Sequence, residues 1–332
     1  MVPKVVFSFF LNFVAILVLL LPQTADAQGL KIGFYSKTCP KAEAIVLQEM
    51  TEVIKVAPSL SGPLLRMHFH DCFVMGCDGS ILLNSSKNTA EKDAPPNLSL
   101  RGYAVIDRVK AKLEKSCKGI VSCADILALV ARDVVRLTNG PFWQVPTGRR
   151  DGNVSQASDA LANLPPPIAN ISSLKASFSS KGLNTKDLVV LAGSHTIGTS
   201  HCTSFSNRLY NFTGKGDSDP ALDKNYVAAL KKKCKPNDAT TLVQMDPGSS
   251  KSFDNGYFTQ VSKRRGLFQS DSALLQDPQT KDYVLNKAST SFFKDFPVSI
   301  VKMGKIGVLT GNKGEIRQHC ALVKLIIIMH SS

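Results

Sequence analysis

The sequence lacks the features that indicate several common protein classes. It has no internal repeat and no low-complexity segment, which excludes a solenoid and a disordered chain. Alternating strand patterns are scarce, so an all-β fold is excluded as well. No nucleic-acid motif accompanies the formal net charge of +14, and runs such as Lys231-Lys232-Lys233 are typical of a solvated helix face. Acidic polysaccharide remains a hypothetical partner for this charge.

Only the N-terminal segment is apolar enough to enter a membrane. Lys4 supplies a positive start, residues 5–21 are almost entirely apolar, and Ala25-Asp26-Ala27 offers a small-residue cleavage site. We therefore predict a signal peptide over residues 1–27 and a mature chain that begins at Gln28. A retained membrane anchor is the alternative, because the apolar run is nearly long enough to span a bilayer.

Secretion explains the eight cysteines, which we expect to form four disulfides in an oxidising compartment. Zinc binding by Cys72 and Cys77 is the alternative, although the residues around them resemble a loop of oxygen ligands. Sequons of the form N-x-Ser/Thr are also expected of a glycosylated secreted protein. They occur at Asn84, Asn97, Asn153, Asn170 and Asn211.

Apolar residues recur at helical spacing nearly throughout the rest of the chain, which predicts a mainly α fold. A first apolar stripe runs from Ala42 to Ile54, and a second helix carries Arg66 and His70 with Pro63 in its first turn. Ser122 with Asp125 predicts the N-terminal cap of a helix over 126–137, which ends at Asn139-Gly140. Further helices are predicted over residues 171–180, 185–192, 200–209, 223–233, 255–263 and 280–303, the last with a boundary or kink at Pro297.

The Pro- and Gly-rich tract over residues 139–167 predicts a boundary between two halves, 28–160 and 161–320. The tail over residues 321–332 carries an apolar cluster at 325–329 that is too short to span a bilayer. It is interpreted as a docking strip or as a removable propeptide.

Arg66 and His70 are the most informative pair in the chain. Their spacing of four places the guanidinium and the imidazole on one face of a helix. A permanent cation beside a titratable base suits cleavage of a peroxide, because the base moves the proton and the cation stabilises the departing oxygen. The distant His195 would then hold a haem iron from the other side. We interpret His68 as a structural core residue.

The segment that follows His70 offers hard oxygen ligands on a tight loop, which is what Ca²⁺ requires. They are the carboxylates of Asp71 and Asp78, the hydroxyl of Ser80, and the backbone carbonyls of Val74 and Gly76. The alternative is an acidic surface turn.

Taken together, these motifs resemble the class III secretory plant peroxidases, and the resemblance runs from about residue 28 to residue 320. It is carried by the segments 64–74, 76–83, 121–127, 148–151 and 193–198. The family implies a two-domain, mainly helical haem peroxidase fold with one haem b between the halves and two Ca²⁺ ions per chain. It also implies a monomer that reduces H₂O₂ and oxidises small phenols one electron at a time, in the cell wall or, through the C-terminal tail, in the vacuole.

The resemblance implies a role for each matched residue at the haem. His195 is the proximal ligand, and Asp271 accepts its other ring proton. His70 is the base and Arg66 stabilises charge, while Asn97 holds the tautomer of His70. Because that role requires a buried Asn97, we predict that its sequon carries no glycan. Phe69 and Pro165 are implied to contact the cofactor, with Pro165 near an exposed haem edge. Glu91 is implied to extend the distal network and to serve the neighbouring cation site.

The same resemblance implies two calcium sites and a disulfide pattern. The distal site uses Asp71, Val74, Gly76, Asp78 and Ser80, and the proximal site uses Thr196, Asp246, Ser249, Ser252 and Asp254. The implied disulfides are Cys39–Cys117, Cys72–Cys77, Cys123–Cys320 and Cys202–Cys234. Three rivals stay open at this stage: a haem carrier without turnover, a Ca²⁺-dependent wall-binding protein, and a histidine-metal hydrolase.

Overall fold

The computed structural model describes residues 29–324, so the predicted signal peptide, Gln28 and the apolar cluster of the tail lie outside the described residues. The mainly helical fold class is confirmed. The helices are α1 (Ala42–Val56), α2 (Ser61–Val74), α3 (Tyr103–Ser116), α4 (Cys123–Leu137), α5 (Ala157–Asn163), α6 (Ile171–Ser180), α7 (Thr185–Ala192), α8 (Ser206–Tyr210), α9 (Lys224–Lys233), α10 (Gly256–Ser262), α11 (Gln269–Ala273), α12 (Pro278–Asp282) and α13 (Ala288–Met303). Two short strands, β1 (Thr199–His201) and β2 (Leu242–Gln244), pair antiparallel with Ser200 opposite Val243.

Local signals place the first helices close to where the sequence predicts them, although α4 begins at Cys123 instead of residue 126. The apolar stripe of α1 is buried, including Val46, Met50 and Val53. The Ser122 hydroxyl caps α4 by accepting the Asp125 amide at 3.1 Å. Beyond α4, Asn139 takes a positive φ of 72°, which ends the helix. Pro63 lies in the first turn of α2, where its missing amide removes no helical hydrogen bond. α2 packs against α4, which is buried almost along its whole length.

The prediction of a helix over residues 200–209 is wrong in its first half. Residues 199–201 form β1, a 3-10 turn follows over Cys202–Ser204, and only then does α8 begin. Gly198 has a φ of 104°, which no helix permits, and the β2 strand supplies a pairing edge from more than 40 residues downstream. Sequence periodicity cannot register that distant partner.

Pro297 was predicted to mark a boundary or a kink, and the boundary is wrong. Pro297 lies inside α13, which runs on to Met303. The irregularity in the predicted helix over 280–303 lies earlier, where the π-helical turn Tyr283–Lys287 joins α12 to α13. Such turns fit one extra residue into a helix and leave no proline signal.

Within residues 29–324, the buried apolar side chains form two clusters. The larger draws residues from Tyr35 to Cys320, and the smaller lies among Cys202–Leu267 around β1, β2, α8 and α9. The predicted pairing of all eight cysteines is confirmed: Cys39–Cys117, Cys72–Cys77, Cys123–Cys320 and Cys202–Cys234. No helix within residues 29–324 has both the length and the apolar character to cross a membrane.

Candidate active site

Helix α2 presents Arg66 and His70 in direct contact. The Nε of Arg66 donates to Nε2 of His70 at 2.9 Å. Two more bonds hold the guanidinium, one to Ser99 Oγ at 2.8 Å and one to the carbonyl oxygen of Pro96 at 2.6 Å. The helical spacing of four therefore brings base and cation together, while the segment before α3 fixes the direction of the guanidinium.

Asn97 holds the opposite side of the His70 ring. Nδ1 of His70 is hydrogen-bonded to Oδ1 of Asn97, and Nδ2 of Asn97 donates to the carbonyl oxygen of Glu91 at 2.6 Å. Because the amide NH₂ is committed to Glu91, Oδ1 is the acceptor and Nδ1 of His70 carries the proton. This tautomer leaves the lone pair on Nε2, beside Arg66. Asn97 is only 1% exposed, as its predicted role requires.

The electrostatics keep His70 neutral and Arg66 charged. Burial and the charge of Arg66 lower the pKa of His70 well below its ordinary value, against a weaker opposing effect of Asn97. Burial lowers the pKa of Arg66 to about 10, which still leaves a cation at neutral pH. Burial and the charge of Arg149 lower the pKa of His68 to about 3, in agreement with its interpretation as a core residue.

His195 lies in the 3-10 turn Gly193–Thr196 that follows α7. Its Nδ1 is 2.9 Å from Oδ1 of Asp271, and the His195 side chain is 37% exposed whereas that of Asp271 is almost fully buried. With Nδ1 bonded to the carboxylate, Nε2 is the nitrogen that remains to ligate a metal.

Asp271 accepts hydrogen bonds on both oxygens. Besides His195, Tyr257 Oη donates to Oδ1 at 2.8 Å and the amide of Phe268 donates to Oδ2 at 2.8 Å. Burial acts to raise the pKa of Asp271, but His195 and these donors bring the pKa below its ordinary value. The carboxylate therefore stays ionised. Sequence reasoning missed Tyr257, since no local motif connects it to Asp271.

The segments that carry the two histidines touch at the start of α2. A Cβ on Gly62 would lie 2.9 Å from Cα of Gly198 and 3.2 Å from the carbonyl oxygen of Ile197. The loop that contains Pro165 contacts the helix that carries Asp271, because the amide of Ser270 donates to the carbonyl oxygen of Pro167 at 3.0 Å. Phe69 and Pro165 are both half-buried.

Next to His70, three carboxylates are buried in a distal acidic cluster, which we define as Asp71, Asp78 and Glu91. Both carboxylate oxygens of Glu91 and the hydroxyl of Ser80 have no hydrogen-bond partner among the described residues. Burial and the charges of Asp78 and Glu91 raise the pKa of Asp71 well above its ordinary value, and burial raises that of Glu91 to about 8. Such crowding of buried acids indicates a place for a cation.

The backbone of this loop is tightly constrained. Cys72–Cys77 closes it, and Gly76 has a φ of 107° with a Cβ position only 2.6 Å from the carbonyl oxygen of Gly307. The carbonyl oxygen of Val74, a predicted calcium ligand, accepts from Nζ of Lys181 at 3.2 Å. No sequence pattern indicates this contact, and the ammonium would share that oxygen with a bound cation.

A second, proximal acidic cluster consists of Asp246 and Asp254 with neighbouring hydroxyls. Thr196 Oγ1 donates to Oδ1 of Asp254 at 3.0 Å, and the hydroxyl of Ser249 donates to Oδ2 of Asp254. Oδ2 of Asp246 is buried and has no partner among the described residues. Burial and the charge of Asp254 raise the pKa of Asp246. Ser252 joins the turn by donating its amide to the carbonyl oxygen of Ser249 at 2.8 Å.

The donor atoms of both clusters suit a hard cation. Within residues 29–324, no three His, Cys, Asp or Glu side chains are arranged to hold a metal by themselves. Any site here therefore depends on hydroxyl and carbonyl oxygens in addition to carboxylates, a donor set that fits Ca²⁺. Zinc at Cys72 and Cys77 is excluded, because the two sulfurs are bonded to each other.

Comparisons with known proteins agree with this geometry. The family model described as Peroxidase matches residues 46–290. Peroxidase 27 of Arabidopsis thaliana is 61% identical over 307 residues, which cover 92% of this chain and 95% of the relative. Peroxidase 56 of the same plant is 60% identical over 90% of this chain and 92% of its own length. Peroxidase 1 of Oryza sativa subsp. japonica is 57% identical, over 90% of this chain and 94% of the relative.

Proposed function

The chain belongs to the class III plant peroxidases and is a haem peroxidase that acts on H₂O₂, and from that premise we propose which residues carry the reaction and which donors it oxidises. We infer that one haem b lies between His70 and His195 and that small phenols supply the electrons. The observation that carries the proposal is the contrast between two histidines, one bonded to Arg66 and Asn97 and the other to Asp271.

The residues fit a haem. His195 keeps Nε2 for the iron and has an accessible ring, and Phe69 and Pro165 offer partly exposed apolar surface for a porphyrin. When bound, haem supplies the iron at which the O–O bond of peroxide is cleaved and stores the oxidising equivalents. Asp271 holds the Nδ1 proton of His195, which makes the imidazole a stronger donor.

On the distal side the proton moves through His70. When H₂O₂ displaces the hydrogen bond from Nε of Arg66, Nε2 of His70 takes the proton from one oxygen of H₂O₂ and returns it to the other, which departs as water. The guanidinium of Arg66 stabilises the negative charge that develops on the departing oxygen. Asn97 keeps Nδ1 protonated, so that Nε2 is the basic atom throughout.

Electron balance fixes the number of donors. H₂O₂ takes up two electrons when it is reduced to water, and each phenol gives one, so two phenols are consumed in each turnover. We place their docking region at Pro165, where the loop is half-exposed and Ile168 is 55% exposed. A phenol that docks there would lie at the exposed edge of the haem, and electron transfer from it requires no contact with the iron.

Two Ca²⁺ ions per chain complete the proposed active form. The distal ion would be held by Asp71, Asp78, Ser80 and the carbonyls of Val74 and Gly76, with Glu91 nearby. The proximal ion would be held by Thr196, Asp246, Ser249, Ser252 and Asp254. The support is the unpartnered buried oxygens in each cluster.

We further propose that residues 28–160 and 161–320 are the distal and proximal halves of a monomer, and that the chain is secreted to the cell wall. Four disulfides support an oxidising compartment. The vacuole is the alternative destination, through the tail over residues 321–332. Acidic wall polysaccharide is a proposed partner for the charge of +14; elution from a pectin column that does not depend on salt contradicts this.

The test of the function is an absorption spectrum of the protein purified after expression with excess haemin, before and after one equivalent of H₂O₂. We expect a Soret band that changes on addition of peroxide and is restored by guaiacol, with steady guaiacol oxidation. A Soret band without turnover indicates a haem carrier, and a colourless protein contradicts the proposal. Bound zinc without iron would instead favour a hydrolase.

A further inference from the structure

Asp271 shares one oxygen between two donors. Oδ1 lies 2.9 Å from Nδ1 of His195 and 2.8 Å from Oη of Tyr257. The Tyr257 ring also meets the His195 ring edge-on, with centroids 5.6 Å apart and planes at 83°. Tyr257 is 1% exposed, so its hydroxyl is shielded from bulk water.

The direction of the Tyr257 bond is fixed by chemistry. A carboxylate can only accept, so the phenol donates. Burial and the neighbouring Asp271 raise the pKa of Tyr257 well above its ordinary value, which keeps the hydroxyl protonated. A second donor on the same oxygen lowers the proton affinity of the carboxylate, and the bond from His195 weakens in consequence.

On the basis of the proposed haem site, we propose that Tyr257 is a positioning residue that limits how far Asp271 draws the Nδ1 proton of His195. The phenol thereby sets the electron-donor strength of Nε2 toward the iron. Without it, the imidazole would acquire more imidazolate character and would stabilise the ferric state further.

The position of Tyr257 is determined by the segment that leads into α10. Asp254 lies three residues earlier and is hydrogen-bonded to Thr196, the residue after His195. Hydrogen bonds therefore join the turn that carries His195 to the start of α10 in two places. Thr196 bonds to Asp254 directly, and His195 is connected to Tyr257 through Asp271. These two connections together hold the hydroxyl of Tyr257 in a fixed position relative to His195.

Tyr283 provides a matched control elsewhere in the fold. It is 3% exposed, and its hydroxyl donates to Oδ2 of Asp295 at 3.0 Å. Asp295 pairs with Lys186 instead of a histidine. Removal of either hydroxyl deletes one bond from a buried tyrosine to an aspartate, but only Tyr257→Phe changes the partner of His195.

The experiment compares the haem-loaded full chain with its Tyr257→Phe and Tyr283→Phe variants. The readouts are the ferric/ferrous reduction potential and the iron–histidine stretching frequency of the ferrous form by resonance Raman. For Tyr257→Phe we expect the equilibrium constant for reduction to fall about tenfold, which is about 59 mV for one electron, and the stretching frequency to rise. For Tyr283→Phe we expect no change in either readout.

Incorporation of 3-fluorotyrosine in place of tyrosine tests the same idea without removal of the hydroxyl. A more acidic phenol donates more strongly, so the potential should rise in the wild type and stay unchanged in the Tyr257→Phe background. The proposal is overturned if the two Phe variants have the same reduction potential and the same iron–histidine stretching frequency. It is also overturned if 3-fluorotyrosine still shifts the potential in the Tyr257→Phe background. A wild-type protein that binds no haem overturns the proposed function itself, which is a separate result.

Discussion

At the scale of single residues, the site depends on the hydrogen-bond partners of each histidine ring. His70 is bonded at Nδ1 to Asn97 and at Nε2 to Arg66, so it can only exchange a proton beside a fixed positive charge. His195 is bonded at Nδ1 to Asp271, and its Nε2 is left to bind a metal. In the proposed mechanism one side-chain type therefore has two tasks, and the hydrogen-bond partners of each ring decide which task it has.

We predict that Arg66→Leu slows the reaction with H₂O₂ by about 10²–10³-fold, because one preorganised charge-stabilising donor contributes that much. Stopped-flow spectroscopy of the haem-loaded variant measures the rate. Arg101→Leu is the matched control, since Arg101 is exposed and its guanidinium donates, among residues 29–324, to the backbone oxygens of Leu98 and Leu100 alone. A near-normal peroxide rate in Arg66→Leu would show that Arg66 has another task.

We predict that the sequon at Asn97 carries no sugar, although those at Asn153 and Asn211 can. Asn97 is 1% exposed and both of its amide atoms are hydrogen-bonded, whereas Asn153 and Asn211 are exposed. Peptide mapping of protein from a eukaryotic secretory host is the measurement. A glycan found on Asn97 would be incompatible with its bond to His70.

At the scale of elements, α2 connects Arg66 and His70 to the distal acidic cluster. His70 and Asp71 are consecutive residues, so a shift of the helix moves the base and the acidic cluster together. The N-terminal end of the same helix rests on the turn that follows His195, through Gly62 and Gly198. The spacing between the distal and proximal sides therefore depends on how closely this helix approaches that turn.

We predict that Gly62→Ala destabilises the fold by about 1–3 kcal/mol, because the new Cβ meets backbone atoms of Gly198 and Ile197 that cannot rotate away. Helix propensity alone predicts the opposite sign, a gain of up to about 1 kcal/mol. Urea unfolding of the variant and the wild type decides between them. A stabilised Gly62→Ala would mean that α2 does not press on the proximal turn.

At the scale of the whole molecule, stability depends on buried charge as well as on apolar packing. Asp71 and Glu91 are fully buried near Asp78, and Asp246 is buried near Asp254. Buried acids at close range repel one another unless a cation compensates them. The folded chain should therefore bind cations that the unfolded chain does not.

We predict that removal of Ca²⁺ with EDTA lowers the melting temperature. An ion present at 100 times its dissociation constant stabilises the folded state by about 2.7 kcal/mol per site. Calorimetry before and after EDTA, with Ca²⁺ added back, measures this contribution. Mg²⁺ serves as the control, because it demands a stricter octahedral geometry and should restore little. An unchanged melting temperature in EDTA would contradict both proposed sites.

The sequence by itself determined what depends on short separations along the chain. Spacing of four predicted the contact between Arg66 and His70, and apolar periodicity predicted α6 and α7 with the bounds that the structure has. The pairing of the cysteines followed from family resemblance, and the structure confirms it. The helices and the contact between Arg66 and His70 depend on residues a few positions apart. The disulfide pairing was implied by family motifs that this chain retains.

Only the tertiary structure decided those contacts between distant segments that neither residue spacing nor the family resemblance implies. β1 exists because β2 pairs with it, Ser99 and Pro96 fix Arg66 from another segment, and Tyr257 reaches Asp271 from a separate helix. Each of these contacts is a hydrogen bond whose donor and acceptor share no sequence pattern. Local propensity cannot specify such partners, because packing of the complete core is what brings them within bonding distance.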